Sequence, residues 1–313
     1  MILSVSKRTD IPAFYSDWFF NRIKEGYVLV RNPFNFNQIS KVDISPDVVD
    51  CIVFWTKDAA PMINRLELLK EYKYYFQFTI TPYDESIEKN ARPKKDILLT
   101  FKRLSEKIGK DKVIWRYDPI FISDRYTIDY HVRLFKRMCE ILSDYTEKCV
   151  ISFIDEYKKN SSMKKYIRIP NDEEMDEFAR RFSEIAKQFG IKLQTCAEKI
   201  DLDKYGIEHG ACIDKNMIES VIGYKIKDSN KKKERSFCGC YQSIDIGQYD
   251  SCVHDCVYCY ATRSIDLAVN NFKSHNSESP ILIGEYNLSD VKERKVEILK
   301  EKESSEQISF NLI

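Results

Sequence analysis

Glycine is scarce in this chain, 9 residues of 313, and no two glycines stand in the GxG arrangement that a dinucleotide-binding turn requires. Histidine is scarcer, with 4 residues, and no Ser–His–Asp or Glu-x-x-His arrangement is readable around His131, His209 or His275. No apolar run approaches the ~20 residues that cross a bilayer, and the stretch Met1 to Arg8 lacks the layout of a signal peptide. Neither sign of charge dominates. With 50 Lys and Arg against 49 Asp and Glu the formal charge is +1, which argues against the broad basic footprint of non-specific duplex binding while leaving room for a local basic groove. The expectation is a cytoplasmic protein with no membrane contact.

Core-forming residues are plentiful: 43% of the chain is hydrophobic and 13% aromatic, so a sizeable core can be buried. Cysteine placement says more than its count. Seven of the ten cysteines lie between Cys196 and Cys259. In an exported chain that density reads as a disulfide patch. Without an export signal, reduced thiolates holding a metal or cluster are the better account.

The first two hundred residues alternate short apolar runs with amphipathic stretches. Strands are expected at Ile2–Ser6, Cys51–Thr56, Tyr74–Thr81, Lys112–Tyr117, Cys149–Ile154 and Ile191–Thr195. Helices are expected at Ala13–Lys24, Ala60–Lys70, Asp96–Ile108, Tyr130–Leu142 and Asp172–Phe189, with Gly109 and Gly190 just past two of the ends. Gly26–Asp43 reads as an inserted hairpin. This alternation predicts an α/β fold, a (β/α) barrel or partial barrel over residues 1–200. Residues 201–275 form a cysteine-rich segment completing it, and 276–313 a tail with a candidate helix at Ser289–Lys302. Polar residues follow the strands in an orderly way: Arg8 and Asp10, Lys57, Arg116 and Asp118, Asp155, and Glu198. In such barrels the carboxyl ends of the strands share one mouth, so these seven are candidate catalytic or substrate-binding residues. Arg116 and Asp118 could equally be a structural ion pair, and any one of the others a solvated loop start.

The strongest signal is Cys252-Val253-His254-Asp255-Cys256-Val257-Tyr258-Cys259. Three thiolates on one tight loop can hold an iron–sulfur cluster, which commonly takes four, so one iron would stay open. The spacing Cys-x3-Cys-x-Tyr-Cys resembles the cluster motif of radical S-adenosylmethionine enzymes. That resemblance implies a [4Fe–4S] cluster on Cys252, Cys256 and Cys259, S-adenosylmethionine chelating the open iron, and Tyr258 against the adenine. It further implies a deoxyadenosyl radical acting on a polar or anionic small-molecule substrate (a nucleotide-bearing one included) and an external one-electron donor such as a flavodoxin or ferredoxin. In most of that superfamily the motif follows the first barrel strand, whereas here it follows at least six βα units. Tyr241–Gly247 before it reads as a strand and Thr262–Phe272 after it as a helix, so a circularly permuted barrel satisfies both facts. The whole chain also resembles an uncharacterised prokaryotic family, a domain of unknown function with a C-terminal cluster of this kind. The resemblance runs through Ser6–Tyr15, Phe54–Lys57, Arg116–Pro119 and Cys252–Ala261.

Four more cysteines, Cys196, Cys212, Cys238 and Cys240, equal the number a second iron–sulfur cluster or a zinc site needs. Alternatively one of Cys238 and Cys240 completes the first cluster and the others are buried thiols. Cys51, Cys139 and Cys149 read as core. His254 reads as a ligand, a residue behind the ligands, or merely exposed. Two rival functions remain open: a zinc-ribbon-bearing barrel that binds a partner or nucleic acid, and an electron-transfer protein whose cluster is fully ligated. The terminal Gln307–Ile313 loosely resembles the short peptides that dock on sliding clamps, against a tail that packs on its own barrel.

Overall fold

The computed structural model describes residues 1–155, 167–228, 238–297 and 299–301; Gln307–Ile313 lie outside them. In chain order the elements are β1 (Ile2–Val5), α1 (Ile11–Phe14), α2 (Ser16–Glu25), β2 (Tyr27–Asn32), β3 (Asn35–Asp43), β4 (Cys51–Thr56), α3 (Ala60–Ile63) and β5 (Tyr74–Thr79). They continue as α4 (Lys94–Ile108), β6 (Val113–Ile120), α5 (Ile128–Leu142), β7 (Lys148–Phe153), α6 (Asp172–Gln188) and β8 (Lys192–Cys196). The cysteine-rich part adds β9 (Glu208–Gly210), α7 (Lys215–Ile222), β10 (Ile244–Asp245) and α8 (Ile265–Lys273), and β11 (Val291–Glu293) follows.

Eight strands make one parallel sheet in the order β10-β1-β4-β5-β6-β7-β8-β9. The order is that of a barrel wound in sequence, with β10 moved in front of β1. The sheet is open: β9 and β10 are its two edges and do not pair, so the expected barrel is not closed. Both edge strands are too short to offer a ladder, being three and two residues long. The chain between them crosses instead with single bonds such as Tyr241 N–H to Ile213 O, 2.8 Å.

Strands β1 and β4 to β8 have two buried faces, as covered parallel strands do. One face (Leu3, Val5, Ile52, Phe54, Phe76, Phe78, Trp115, Tyr117) packs on the apolar sides of the flanking helices, including Phe19, Phe101, Phe135 and Phe182. There Phe135 stacks on Trp115 at 5.2 Å and on Phe182 at 4.0 Å between centroids. The other face starts apolar, with Ile2, Cys51, Val53, Tyr75, Ile114 and Val150, and is filled by Ile213, Ile218 and Ile222 from α7 and its approach. Farther along the same face, at spacing two, stand Ser4, Trp55, Gln77, Arg116, Ser152 and Cys196. One sheet face is thus plugged at its amino end and polar at its carboxyl end.

Three local expectations need correction. The helix expected at Ala60–Lys70 is interrupted: α3 ends at Ile63 and a single 3-10 turn follows at Leu66–Leu69. The helix expected at Ser289–Lys302 is not formed among the described residues: Val291–Glu293 adds in parallel to β3, and Leu299 is buried beside Ile226. An open sheet edge and an apolar pocket outweigh the few tenths of a kcal/mol that helix-face charge pairs contribute. The stretch expected as Ala13–Lys24 is broken at Tyr15, whose hydroxyl donates to Ser251 O at 2.6 Å. The Gly26–Asp43 hairpin forms, as β2 against β3.

His131 is fully buried behind β6. Its Nε2 lies 3.0 Å from Phe121 O, which can only accept, so Nε2 carries the hydrogen and Nδ1 accepts from Tyr117 Oη at 2.8 Å. Burial lowers its pKa from 6.5 to about 4. Because the folded value lies below the unfolded one, stability is full above pH 6.5 and is lost as pH falls toward 4. The expected loss is roughly 3 kcal/mol over that window. In His131→Gln, urea titrations across the window should show a pH slope smaller by one proton; an unchanged slope would assign the acid sensitivity elsewhere.

Candidate functional site

The cysteine loop is carried to the mouth by β10. Asp245 accepts from Ser4 Oγ (2.8 Å), Ser6 Oγ (2.6 Å), Lys7 N–H (2.8 Å) and Gly247 N–H (3.0 Å), which ties the last parallel strand to the first. At Gly247 there is no room for a side chain, since a Cβ would lie 2.0 Å from Ser6 Oγ. The loop then closes on itself. Asp250 N–H donates to Ala261 O at 2.9 Å, and the Asp250 carboxylate grips Arg263 through its backbone N–H and Nε, each at 2.6 Å. The strand–loop–helix order expected around the motif is present, with β10 before it and α8 after it.

Three cysteines project from this loop. Cys252, Cys256 and Cys259 lie close enough that Cys252 is raised first by burial and then by the other two, while Cys256 is pushed up to about 12 by burial. Lys57 opposes that rise in Cys256. Ala261 N–H donates to Cys259 Sγ at 3.4 Å.

Two buried networks hold the loop from below. In the first, Asp10 caps α1 through Ala13 N–H (3.0 Å) and accepts from Thr56 Oγ1 (2.7 Å) and Lys57 N–H (2.7 Å). Its Oδ2 also faces His254 Nε2 at 2.8 Å. The carboxylate accepts, so Nε2 carries the hydrogen. His254 is 5% exposed, and among the described residues its Nδ1 has no hydrogen-bond partner. The reading of His254 as merely exposed is therefore overturned. In the second network Glu88 accepts from Lys57 Nζ (2.6 Å), Thr81 Oγ1 (2.6 Å), Lys94 Nζ and Tyr258 Oη. Burial alone would raise the Glu88 carboxyl, but Lys57 and Lys94 hold it well below the usual carboxylate range. Glu88 also bridges to Cys256 through the backbone, and Val257 N–H donates to Ile87 O at 2.9 Å. The Tyr258 ring, whose hydroxyl is committed to Glu88, packs beside Tyr83 and Phe121.

The strand-end residues divide. Asp10 and Lys57 stand under the cysteine loop. Arg116, Asp118 and Glu198 stand across the mouth: Arg116 pairs with Asp118 and donates to Cys212 Sγ at 2.9 Å and Gln77 Oε1 at 3.3 Å. Glu198, raised to about 7 by burial, accepts from Phe153 N–H at 2.8 Å and feels the charges of Asp155, Cys196 and Asp118. Asp118 in turn acts on Lys57, so the two groups share one mouth. Arg8 turns away, donating to Gly247 O at 3.4 Å and lying over Tyr249.

The second set of thiols comes to one part of the sheet. Cys196 on β8 pairs with Gly210 on β9, two residues before Cys212, and Gly239, between Cys238 and Cys240, lies against Gly210 and Ala211. Ile213 N–H donates to Cys240 Sγ at 3.5 Å. Cys51, Cys139 and Cys149 are buried in the core, as expected. Among the described residues no three His, Cys, Asp or Glu side chains already converge as a metal site.

A cleft of about 1300 Å³ opens beside the loop, lined by Cys256, Cys259, Lys89, Arg125, Arg168 and Arg263 among others. None of the seven strand-end candidates lines it. Lys89, Arg125 and Glu88 are the residues that sequence reasoning missed. They sit in loops after β5 and β6, beyond the strand-end positions where polar residues drew attention.

An open parallel α/β sheet with a cysteine-bearing mouth is the class these features define. Within it, the chain belongs to the family described as domain of unknown function DUF1848, whose model matches residues 2–261. No curated protein matches. Among solved structures the chain is similar to the crystal structure of a "putative alpha-L-fucosidase" from Bacteroides thetaiotaomicron, at 12% identity over 50% of this chain and 66% of that chain, with a TM-score of 0.25. At that score the likeness carries no argument about activity. Among the described residues no helix is long and apolar enough to cross a membrane.

Glu88→Gln would leave Lys57 facing no buried anion while keeping a hydrogen-bonding group for Tyr258. Removing one partner of a buried pair costs about 3 kcal/mol or more. A drop of that size in the urea-derived stability is expected, and a loss under 1 kcal/mol would show that water replaces the carboxylate.

Proposed function

We propose that this protein is an iron–sulfur enzyme of the radical S-adenosylmethionine type, with a [4Fe–4S] cluster on Cys252, Cys256 and Cys259. The observation that carries the reading is the position of that loop: it follows an edge strand, at the carboxyl end of a parallel sheet, beside a cleft of about 1300 Å³. The placement of β10 in front of β1 supports the permuted order that a late motif requires. The donor set suits the group. Three soft thiolates share one loop, Lys57 and Lys94 lie beside Cys256 to offset its negative charge, and among the described residues a buried imidazole nitrogen is left without a hydrogen-bond partner.

When bound, such a cluster supplies one electron for reductive cleavage of S-adenosylmethionine at an iron that no thiolate of the loop occupies. The chain's own residues do the rest. Asp10 fixes the ring orientation and tautomer of His254, as carboxylates do for imidazoles at metal sites. Lys57 and Lys94 keep Glu88 ionised and so hold Tyr258 in place. The cleft cations are each paired with an anion: Lys89 with Asp255, Arg125 with Asp84, Arg168 with Glu174 and Arg263 with Asp250. A lining with both signs of charge suits a zwitterionic guest such as the methionyl end of S-adenosylmethionine. Arg116, Asp118, Asp155 and Glu198 would meet a polar or anionic substrate, and a flavodoxin or ferredoxin would supply the electron.

One observation favours a second reading. His254 Nδ1 sits within the cysteine loop and could serve as a fourth ligand, which would make a saturated electron-transfer centre. No such observation at the Cys252–Cys259 loop favours the zinc-ribbon alternative.

Anaerobically purified protein should be brown, bleach with dithionite, and release deoxyadenosine when reduced with S-adenosylmethionine. Cys259→Ala should abolish that product with the fold retained by circular dichroism. A colourless preparation would sink both iron readings, whereas a brown protein that leaves S-adenosylmethionine intact would select the saturated centre.

A further inference from the structure

We infer that Cys196, Cys212, Cys238 and Cys240 bind a second, fully ligated soft-metal centre, which closes the gap that the sheet leaves between β9 and β10. This does not rest on the function proposed above, because none of the four belongs to the Cys252–Cys259 loop.

The four thiols come from separate places: the end of β8, the turn after β9, and two positions in the segment that leads to β10. Folding gathers all of them at the gap where backbone pairing fails. Backbone pairing sets Cys196 opposite Gly210, two residues before Cys212; Gly239 lies against Gly210 and Ala211, Ile213 N–H donates to Cys240 Sγ at 3.5 Å, and none of the four is in a disulfide. Four soft donors gathered at one place, with no fifth group required, make the closed set of a structural site. Rotation about χ1 moves a cysteine sulfur without moving its backbone, so this proximity converts to a convergent tetrad locally.

The surroundings are those of thiolates rather than of idle core thiols. Arg116, buried, points Nη1 at Cys212 Sγ from 2.9 Å. Ile213 N–H points at Cys240 Sγ from 3.5 Å. Four thiolates around a divalent ion, or around an oxidised [4Fe–4S] cluster, carry the same net charge of about −2. A guanidinium and a backbone N–H placed at the sulfurs offset it, as groups behind metal ligands do. Binding releases the thiol protons to solvent and requires no redox step. The gain is mechanical. A two-residue strand and a three-residue strand hold a sheet edge weakly, and a metal joining both flanks fixes the mouth in which Arg116 and Asp118 stand.

The test uses the full chain with the first site removed. The variant Cys252→Ala/Cys256→Ala/Cys259→Ala, purified anaerobically, should keep about one zinc, or about four iron with matching sulfide, per chain. Adding Cys238→Ser/Cys240→Ser should reduce that to none. X-ray absorption on the unmutated protein should show sulfur around zinc, or around an iron count exceeding one cluster, at about 2.3 Å. Chelation should lower the melting midpoint of the native chain while releasing the metal, a readout that survives if the serine variant fails to fold. Metal-free protein whose four cysteines are all alkylated in the folded state, or a disulfide between any two of them, would overturn the inference.

Discussion

A single carboxylate joins the two ends of this chain. Asp245 lies on a strand of two residues, too short to be held by its own ladder, and it accepts from Ser4, Ser6, Lys7 and Gly247. Those bonds seat β10 beside β1 although some 240 positions separate their partners. Everything at the mouth follows. Once β10 is seated, the loop it feeds lies over the carboxyl ends of β1, β4 and β5, where Asp10, Lys57 and Glu88 await it. The close approach at Gly247 shows how tightly the junction is drawn.

Below the mouth, the same sheet face changes character along its length. Its amino half is apolar and is stopped by α7, whose Ile218 and Ile222 fill what would otherwise be a wet interior. Its carboxyl half carries Ser4, Gln77, Arg116 and Cys196. A plug at one end and polar groups at the other give the open sheet a bottom and a top without the strand closure that a barrel uses. The buried charges at the top are all compensated: Glu88 by two lysines, Arg116 by Asp118, Asp10 by four hydrogen bonds. Unpaired, any of them would cost several kcal/mol; paired, they make a rigid floor for the cysteine loop.

The two groups of cysteines divide that mouth between them. One trio rides a self-closed loop next to a large cleft, and one quartet spans the sheet gap beside Arg116. Asp118 acts on Lys57 under the first and is bonded to Arg116 at the second, so a charge change at either group is felt at the other.

The local order of this protein was readable residue by residue. Apolar runs such as Cys51–Thr56 and amphipathic stretches such as Asp96–Ile108 carry their own periodicity, and strands covered on both faces leave little ambiguity. The motif Cys252–Cys259 was equally plain, because ligand spacing on one loop is a local property. Long-range pairing was not. Of the strand expected over Tyr241–Gly247 only Ile244-Asp245 forms, and nothing local announces its place beside β1, which comes from Ser4 and Ser6. Glu88 is an ordinary loop glutamate until Lys57, Lys94 and Tyr258 surround it. The stretch around Val291 has helical charge spacing, yet an exposed edge of β3 draws it into a sheet. By itself the sequence determined most of the strands and helices of the first two hundred residues, the α/β class and the cysteine loop, whose causes lie within a few residues. Tertiary structure alone decided that the sheet stays open, that His254 is buried against Asp10, and that four scattered thiols come to one part of the sheet, because each depends on groups brought together only when the chain has folded.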